Sequence, residues 1–151
     1  MPKPSAGILM YRRRNELEVL LVHPGGPFWG HKDLGSWSIP KGEIEPLEDP
    51  LAAARREFHE ETGFKANGTF IPLEALKQRS GKVIHAWAVE GDFDTTKVTS
   101  NVIELEWPRG SGKTQAFPEV DRAEWLDLPM ARRKLMPGQV PFVDQLERLL
   151  R

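Results

Sequence analysis

Two runs rich in hydrophobic residues predict β-strands at the start of the chain. The runs SAGILMYRR and LEVLLVH are separated by the polar residues Arg14, Asn15 and Glu16, which is the pattern of a hairpin. The segment HPGGPFWGHKDLGS follows, and its glycines and prolines predict a surface loop of a length that is often functional. The run WSIP then predicts a short strand that leads to Lys41 and Gly42.

A helix from Pro50 to Thr62 is predicted by the residues at its two ends. Asp49 is suited to the N-cap, and proline is tolerated at the first helical position because its missing N–H would have no partner there. Gly63 suits the position that follows the last turn.

The remainder of the chain predicts further strands and two helices. FIPLEALK, KVIHAWAVE, NVIELEW and AEWLDL have strand-like patterns, whereas PRGSGKTQAFPE is rich in turn residues and predicts a loop. Pro129 is placed to begin a short helix through MARRKLM, and FVDQLERLL has apolar residues at helical spacing. Because no internal repeat or linker divides the sequence, we expect residues 1–151 to form one domain.

The composition of the chain excludes several functional classes. Hydrophobic residues make up 39% of the 151 residues and charged residues 28%, which is typical of a folded globular protein. The net charge of −1 gives no overall field that favours nucleic acid or an anionic membrane. The absence of cysteine excludes disulfides and thiolate chemistry. No apolar segment approaches ~18 residues, so we expect a cytoplasmic protein with no membrane partner.

Three glutamates gather near the end of the predicted helix. Glu57, Glu60 and Glu61 are spaced i, i+3 and i+4 and therefore share one face. A solvated acidic face paired with Arg55 and Arg56 is the ordinary interpretation. The helix macrodipole and the like-charge pair at i, i+4 both disfavour such a cluster unless a cation binds it. Since hard oxygen ligands suit Mg²⁺ or Mn²⁺, we interpret the face as a candidate metal site.

The segment from Gly42 to Phe64 resembles the signature of the Nudix hydrolase family. Gly42 is followed after five residues by Glu48, and after seven more by the run REFHEETGF, which begins at Arg56. The resemblance implies an α/β fold, the Nudix α/β/α sandwich with a mixed β-sheet between helices. It also implies hydrolysis of a nucleoside diphosphate linked to another group, with Mg²⁺ as cofactor and Mn²⁺ as a substitute.

The resemblance assigns metal ligands by position in the signature. Glu57, Glu60 and Glu61 are the expected ligands, with Glu60 and Glu61 the first choices. The backbone carbonyl near Gly42 is expected to join them, and Glu48 is expected to be a supporting carboxylate in the outer shell of the metal site.

The resemblance also implies catalytic roles. Arg56 resembles the arginine that orients a catalytic glutamate, and its spacing allows a pair with Glu60. Members of the family differ in which glutamate is the base, so that Glu57, Glu60 or a carboxylate outside the signature can serve. Glu119, in AFPEVDRAEW, is our candidate for that outside carboxylate, and an ordinary surface glutamate is the equal alternative.

Five residues are candidates for binding substrate. Lys41 lies in PKG, a sequence that resembles diadenosine polyphosphate hydrolases but also occurs in Nudix proteins of other specificity. Phe28 and Trp29, in the long early loop, are placed either to stack on a nucleobase or to pack. Arg109 and Lys113 lie in a glycine-containing loop that either reaches distal phosphates or is simply solvated.

The leading hypothesis is an Mg²⁺-dependent pyrophosphohydrolase that acts on a dinucleoside polyphosphate such as diadenosine tetraphosphate. A (d)NTP or ADP-ribose pyrophosphatase is the close alternative, although Gln78 lies where ADP-ribose hydrolases often carry a proline. The only tyrosine, Tyr11, precedes the signature, whereas diadenosine tetraphosphate hydrolases often carry one beyond it. Alternatives of other classes are a nucleotide sensor without turnover and an RNA-interaction module around Arg132 to Lys134. The sequence does not indicate an oligomeric state.

Overall fold

The computed structural model describes residues 2–151. The strands are β1 Ser5–Arg13, β2 Leu17–Pro24, β3 Lys41–Glu43, β4 Ile71–Pro72, β5 Leu76–Lys77, β6 Val83–Glu90, β7 Val102–Glu106, β8 Thr114–Pro118 and β9 Val120–Asp127. The helices are α1 Pro50–Thr62, α2 Leu128–Lys134 and α3 Val140–Leu149, with short 3₁₀ turns at Thr95–Lys97 and Pro137–Gln139.

The main sheet is mixed. Its central path is β4-β6-β1-β2-β9, with β1 parallel to β6 and antiparallel to β2. The short strand β3 pairs with β1, and β5 pairs with β6. Strands β7 and β8 pair with each other in a separate two-stranded sheet.

Two hydrophobic layers lie on opposite sides of the main sheet because its strand residues alternate in direction. On one side Ile8 belongs to the cluster that contains Ala54 and Phe58 of α1. On the other side Leu9 belongs to the cluster that contains Phe142 of α3. The sheet is therefore covered by α1 on one face and by α2 and α3 on the other, which confirms the predicted α/β/α sandwich.

Helix α1 has the predicted bounds and caps. The Asp49 side chain accepts a hydrogen bond of 3.0 Å from the Ala52 N–H, and Pro50 occupies the first turn. Gly63 has φ of 82°, a left-handed conformation that glycine adopts without strain, and its N–H donates to the His59 carbonyl.

The prediction of a strand at WSIP is wrong. The Trp37 N–H donates to the Lys134 carbonyl, whereas the Ser38 N–H donates to the Val22 carbonyl. Adjacent residues thus pair with different elements and form only isolated bridges, and the regular strand begins at Lys41.

The prediction that PRGSGKTQAFPE is entirely loop is also wrong. Its second half forms β8, which pairs with β7 from Thr114 opposite Glu106 to Pro118 opposite Val102. The strands of this hairpin are largely exposed, so the run lacks the hydrophobic alternation that marks a core strand. Within residues 2–151, no helix is long and apolar enough to cross a membrane.

Candidate active site

A polar cavity of about 480 Å³ opens beside the acidic end of α1. It is lined by Ser5, Lys41, Gly42, Glu43, Glu45, Glu57, Lys82 and Glu119. A second cavity of about 160 Å³ shares Lys41 and Glu119 with it and adds Glu61 and Pro24 to the lining. The carboxylates of α1 therefore face a space that is also lined by β3, the residue before β6 and the residue after β8.

Glu57 and Glu61 are buried with part of their carboxylates unpaired. Their exposed fractions are 7% and 5%, and within residues 2–151 the Oε2 atom of each has no hydrogen-bond partner. Burial, followed by the charge of Glu60, raises the pKa of Glu57 to about 7. Burial, followed by the charges of Glu119 and Glu57, raises the pKa of Glu61 well above its usual value, although Lys41 acts in the opposite direction. Folding therefore keeps two destabilised carboxylates together.

Gly42 lies directly against the Glu57 carboxylate. A Cβ atom at position 42 would overlap both carboxylate oxygens of Glu57. Glycine is therefore required here by close approach, and the peptide groups of β3 lie within reach of whatever the carboxylate binds.

Arg56 is held by a two-point ion pair with Glu48. Its Nε and Nη2 atoms lie 2.9 and 3.0 Å from the two carboxylate oxygens of Glu48, and Nη2 also donates to the Glu43 carbonyl at 3.1 Å. The guanidinium holds the pKa of the Glu48 carboxyl at about 2. Because both oxygens of Glu48 are occupied by Arg56, its position favours a supporting role over direct ligation.

Glu60 is more exposed than the buried pair and shares Arg56 with Glu57. Its carboxylate accepts from Arg56 Nη1 at 3.2 Å, and its side chain is 37% exposed. The three glutamates therefore do not form the open face that their helical spacing suggests, since Glu57 and Glu61 turn inward and Glu60 stays at the rim.

Glu119 is brought to the acidic end of α1 by backbone hydrogen bonds. Its N–H donates to the Asn101 carbonyl, and its own carbonyl accepts from the Gly25 N–H, both at 2.9 Å. Its side chain lines the cavities of both Glu57 and Glu61. Of the two interpretations of Glu119 from sequence, this position favours the functional one.

Two lysines balance the acidic charge. Burial lowers the pKa of the Lys41 ammonium, and the carboxylate of Glu61 partly offsets that effect. Lys82 lines the larger cavity with Lys41, and sequence reasoning missed it. No local signal marks Lys82 as functional, because it follows an ordinary turn and reaches the cavity only through the pairing of β5 with β6.

Phe28 and Arg109 come together outside this cavity. The Phe28 ring meets the Trp107 ring edge-on with centroids 5.6 Å apart, and the Arg109 guanidinium lies 5.7 Å from the Phe28 centroid. Trp29 is separate, with the Lys32 ammonium 4.8 Å from its ring.

Lys113 is exposed at the tip of the β7–β8 hairpin, and the glycines beside it are already engaged. The N–H groups of Gly110 and Gly112 donate to the Glu106 carboxylate at 2.9 and 3.3 Å. These amides are therefore not free to cradle a phosphate. The tip is an ordered turn built around Glu106.

The donor atoms suit a hard divalent cation. In the side-chain positions of this structure, no group of three histidine, aspartate or glutamate residues within residues 2–151 is close enough together to hold one metal ion. The unpaired oxygens of Glu57 and Glu61, beside Glu119 and the peptide groups of Gly42, are all oxygen donors of the type that Mg²⁺ prefers. A cation there would favour the ionised form of each buried carboxyl and so oppose the rise in its pKa, and these residues therefore fit such an ion.

The NUDIX domain family model matches residues 1–146. The chain belongs to the Nudix family. Nudix hydrolases generally use a divalent metal, and the family binds small nucleotide substrates.

One curated relative and two solved structures are similar to this chain, and the solved structures share its fold. An octanoyltransferase from Myxococcus xanthus is 30% identical over 132 residues, which are 87% of this chain but 29% of that protein, so the chain spans less than a third of this relative. A binary complex of a C. elegans Ap4A hydrolase has a TM-score of 0.67 and 22% identity, covering 97% of both chains. The NUDIX domain of Shewanella oneidensis NrtR, complexed with ADP ribose, has a TM-score of 0.70 and 16% identity, covering 100% of this chain and 90% of that one.

Proposed function

We propose that the protein is an Mg²⁺-dependent pyrophosphohydrolase that cleaves a phosphoanhydride bond of a nucleoside diphosphate derivative. One observation carries the proposal: Glu57 and Glu61 are buried with unpaired oxygens in cavities that they share with Glu119 and Lys41. Leaving a buried carboxylate unpaired costs stability, and a site for a cation and a polyphosphate explains why the cost is tolerated.

The proposed ligands of the ion are Glu57 and Glu61, with the Gly42 backbone and, after movement of its side chain, Glu60. When bound, the ion would neutralise phosphate charge and lower the pKa of the attacking water. The proposed role of Arg56 and Glu48 is to fix the position of the acidic end of α1, because their two-point ion pair ties the helix to the loop before it.

Two further groups act on substrate in this proposal. Lys41 and Lys82 attract the phosphate chain into the larger cavity, since both line it and no other lysine or arginine does among the described residues. Glu119 accepts the proton of the attacking water, because its carboxylate faces the same cavity and is supplied by a separate element.

The proposed substrate is a dinucleoside polyphosphate such as diadenosine tetraphosphate. The PKG sequence at Lys41 and a second lysine in the cavity support a long phosphate chain. The close alternative is that the substrate is ADP-ribose or a (d)NTP. The similarity of the fold to a domain complexed with ADP ribose supports this alternative. We further propose that residues 1–151 make up one Nudix hydrolase domain, which the match over residues 1–146 supports.

The test is a turnover panel with Mg²⁺ on diadenosine tetraphosphate, ADP-ribose, ATP and dGTP, with chromatographic analysis of products. Preferential formation of ATP and AMP from the dinucleotide is the expected result, and Glu61→Gln should abolish it. Glu147→Gln on α3, far from the cavity, is the matched control. Preference for ADP-ribose or a (d)NTP reassigns the substrate, and tight nucleotide binding without turnover of any compound would support a sensor instead.

A further inference from the structure

The strand that follows Glu119 begins with a β-bulge. In the pairing of β2 with β9, the positions opposite His23 and Pro24 are two residues apart, so that Asp121 between them is an extra residue on β9. A bulge bends its strand and changes the direction of the side chains beside it. Because Glu119 lies two residues before Asp121, the bulge helps to set the direction in which the chain presents Glu119 to the cavity.

His23 is fully buried, and both nitrogens of its ring have partners. Nδ1 lies 2.8 Å from Oδ1 of Asp121, and Nε2 lies 2.6 Å from the carbonyl oxygen of Lys32. Both partners are acceptors, so the ring donates to each of them as an imidazolium, with the Asp121 carboxylate as its counter-charge. Arg122 Nε lies 3.7 Å from the same carboxylate oxygen. The side chain of the bulge residue is therefore bonded to a buried cation.

The imidazole ring of His23 is packed against the hydrophobic core. It meets the ring of Trp37 edge-on, with centroids 5.1 Å apart, and Trp37 is itself fully buried in the cluster that contains α3. The Trp37 indole N–H donates to Asp33 at 2.8 Å, and the cationic groups of Arg122 and Lys134 lie 5.3 and 5.2 Å from its ring. Since Trp37 is held from several sides, His23 provides the bulge with a fixed anchor.

The same histidine anchors the loop on the other side of Glu119. The Gly25 N–H donates to the Glu119 carbonyl at 2.9 Å, and a Cβ atom at position 25 would overlap the carbonyl oxygen of the residue before Glu119. The start of the loop thus lies directly against the chain at Glu119. Because His23 precedes this loop and bonds the Lys32 carbonyl at its far end, the ring fixes the loop and, through Asp121, the bulge.

We propose that His23 and Asp121 are positioning residues that hold the Glu119 carboxylate in the cavity. The inference rests on the proposed function, in which Glu119 accepts the proton of the attacking water. Among the described residues, those that line the two cavities do not include this pair, so the pair acts through Glu119 and not on substrate. A displacement of a catalytic group by about 1 Å lowers a rate by up to about 100-fold, so that even a small shift of the bulge affects turnover.

Two substitutions of Asp121 separate the hydrogen bond from the charge. Asp121→Ala removes the acceptor of the His23 ring and releases the bulge. Asp121→Asn keeps the contact, because the new amide group donates to Nδ1 of a neutral ring whose Nε2–H still donates to the Lys32 carbonyl. Glu124→Ala, which removes another carboxylate of β9 outside the bulge, is the control. Thermal unfolding verifies that each variant is folded, and Asp121→Ser takes the place of Asp121→Ala if the latter is not.

Amide hydrogen exchange measured by NMR reports the position of the Glu119 segment without turnover. The reporter is the Gly25 amide, which is bonded to the Glu119 carbonyl, and the reference is the amide of Leu9 in the buried strand β1. In Asp121→Ala we expect exchange at Gly25 to be at least about tenfold faster, with the rate at Leu9 within about threefold of wild type. Asp121→Asn and Glu124→Ala should match wild type at both amides. Unchanged exchange at Gly25, or equal acceleration at Leu9, would overturn the proposal.

Steady-state kinetics then test the link to Glu119, with the best substrate of the turnover panel. We expect Asp121→Ala to lower kcat about 10- to 100-fold with KM within about twofold, and Asp121→Asn to retain most of the activity. In a Glu119→Gln background, Asp121→Ala should cause no further loss, whereas an additional loss of the same size would overturn the proposal. If wild type turns over no compound, the proposed function fails, and the exchange pattern alone decides whether the pair holds the Glu119 segment.

Discussion

Glu61 and Glu119 line one cavity although the first belongs to the last turn of α1 and the second follows β8. After burial itself, the charge of Glu119 is the largest cause of the raised pKa of the Glu61 carboxyl. The fold therefore brings like charges together from separate elements. A metal site explains this arrangement, and the following predictions depend on it.

Removing one buried charge should stabilise the metal-free protein and abolish turnover. For Glu57→Gln we expect the free energy of unfolding in EDTA at pH 8 to rise by roughly 1–2 kcal/mol, since the raised pKa reports a disfavoured charge. Turnover should fall at least about 100-fold. Glu147→Gln is the control, because it removes a partner of Arg132 on the other face of the sheet and should not stabilise. Urea denaturation beside an activity assay checks both effects, and a destabilised, active Glu57→Gln would contradict the account.

The stability of the metal-free protein should fall as pH rises from about 4.5 to about 7. The pKa of Glu57 is raised from 4.5 to about 7 on folding, so in this window the folded state holds a proton that the unfolded state has released. The stability that protonated Glu57 contributes is therefore fully present below pH 4.5 and is lost as the pH rises through 7. The measurement is the difference between the pH profiles of wild type and Glu57→Gln in EDTA. A difference that is flat or of opposite sign would contradict the assignment.

Gly42→Ala should damage the site through its overlap with Glu57. The new methyl group would overlap the Glu57 carboxylate, and we expect a loss of about 1–3 kcal/mol in unfolding free energy together with most of the activity. Combining Gly42→Ala with Glu57→Ser should recover stability but not activity, because the overlapping group is gone. A double-mutant cycle measured by thermal unfolding tests this, and simple additivity of the two changes would rule out the overlap.

Lys82→Ala should weaken substrate binding without changing the chemical step. We expect KM to rise about tenfold and kcat to stay within about twofold of wild type, because the variant loses one charge-assisted contact to phosphate. Lys77→Ala, an exposed lysine on β5, should leave both constants unchanged. A fall in kcat with constant KM would instead assign Lys82 to the reaction itself.

The sequence predicted the parts of the molecule that depend on local interactions. The bounds and caps of α1 follow from Asp49, Pro50 and Gly63, each of which acts within one turn of its own position. The strands β1 and β6 were visible because each has a buried face and a clear hydrophobic pattern.

The parts of the fold and of the candidate site that the sequence did not predict depend on pairing between distant segments. Strand β8 is exposed and has no hydrophobic pattern, yet its pairing with β7 is what carries Glu119 toward α1. Glu57 and Glu61 are buried and Glu60 is more exposed because of the packing of α1, which helical spacing alone does not encode. Lys82 was missed for the same reason, since its neighbours in the cavity come from other elements.

The most direct test of the central claim is a measurement of Mn²⁺ binding by electron paramagnetic resonance, with Mg²⁺ as competitor. Wild type should bind Mn²⁺ in competition with Mg²⁺, and Glu57→Gln and Glu61→Gln should each weaken binding at least about tenfold, in line with loss of a direct ligand. Glu147→Gln should bind as wild type does. Equal Mn²⁺ affinity in all four proteins would contradict the account, because the buried carboxylates would then not be the metal site.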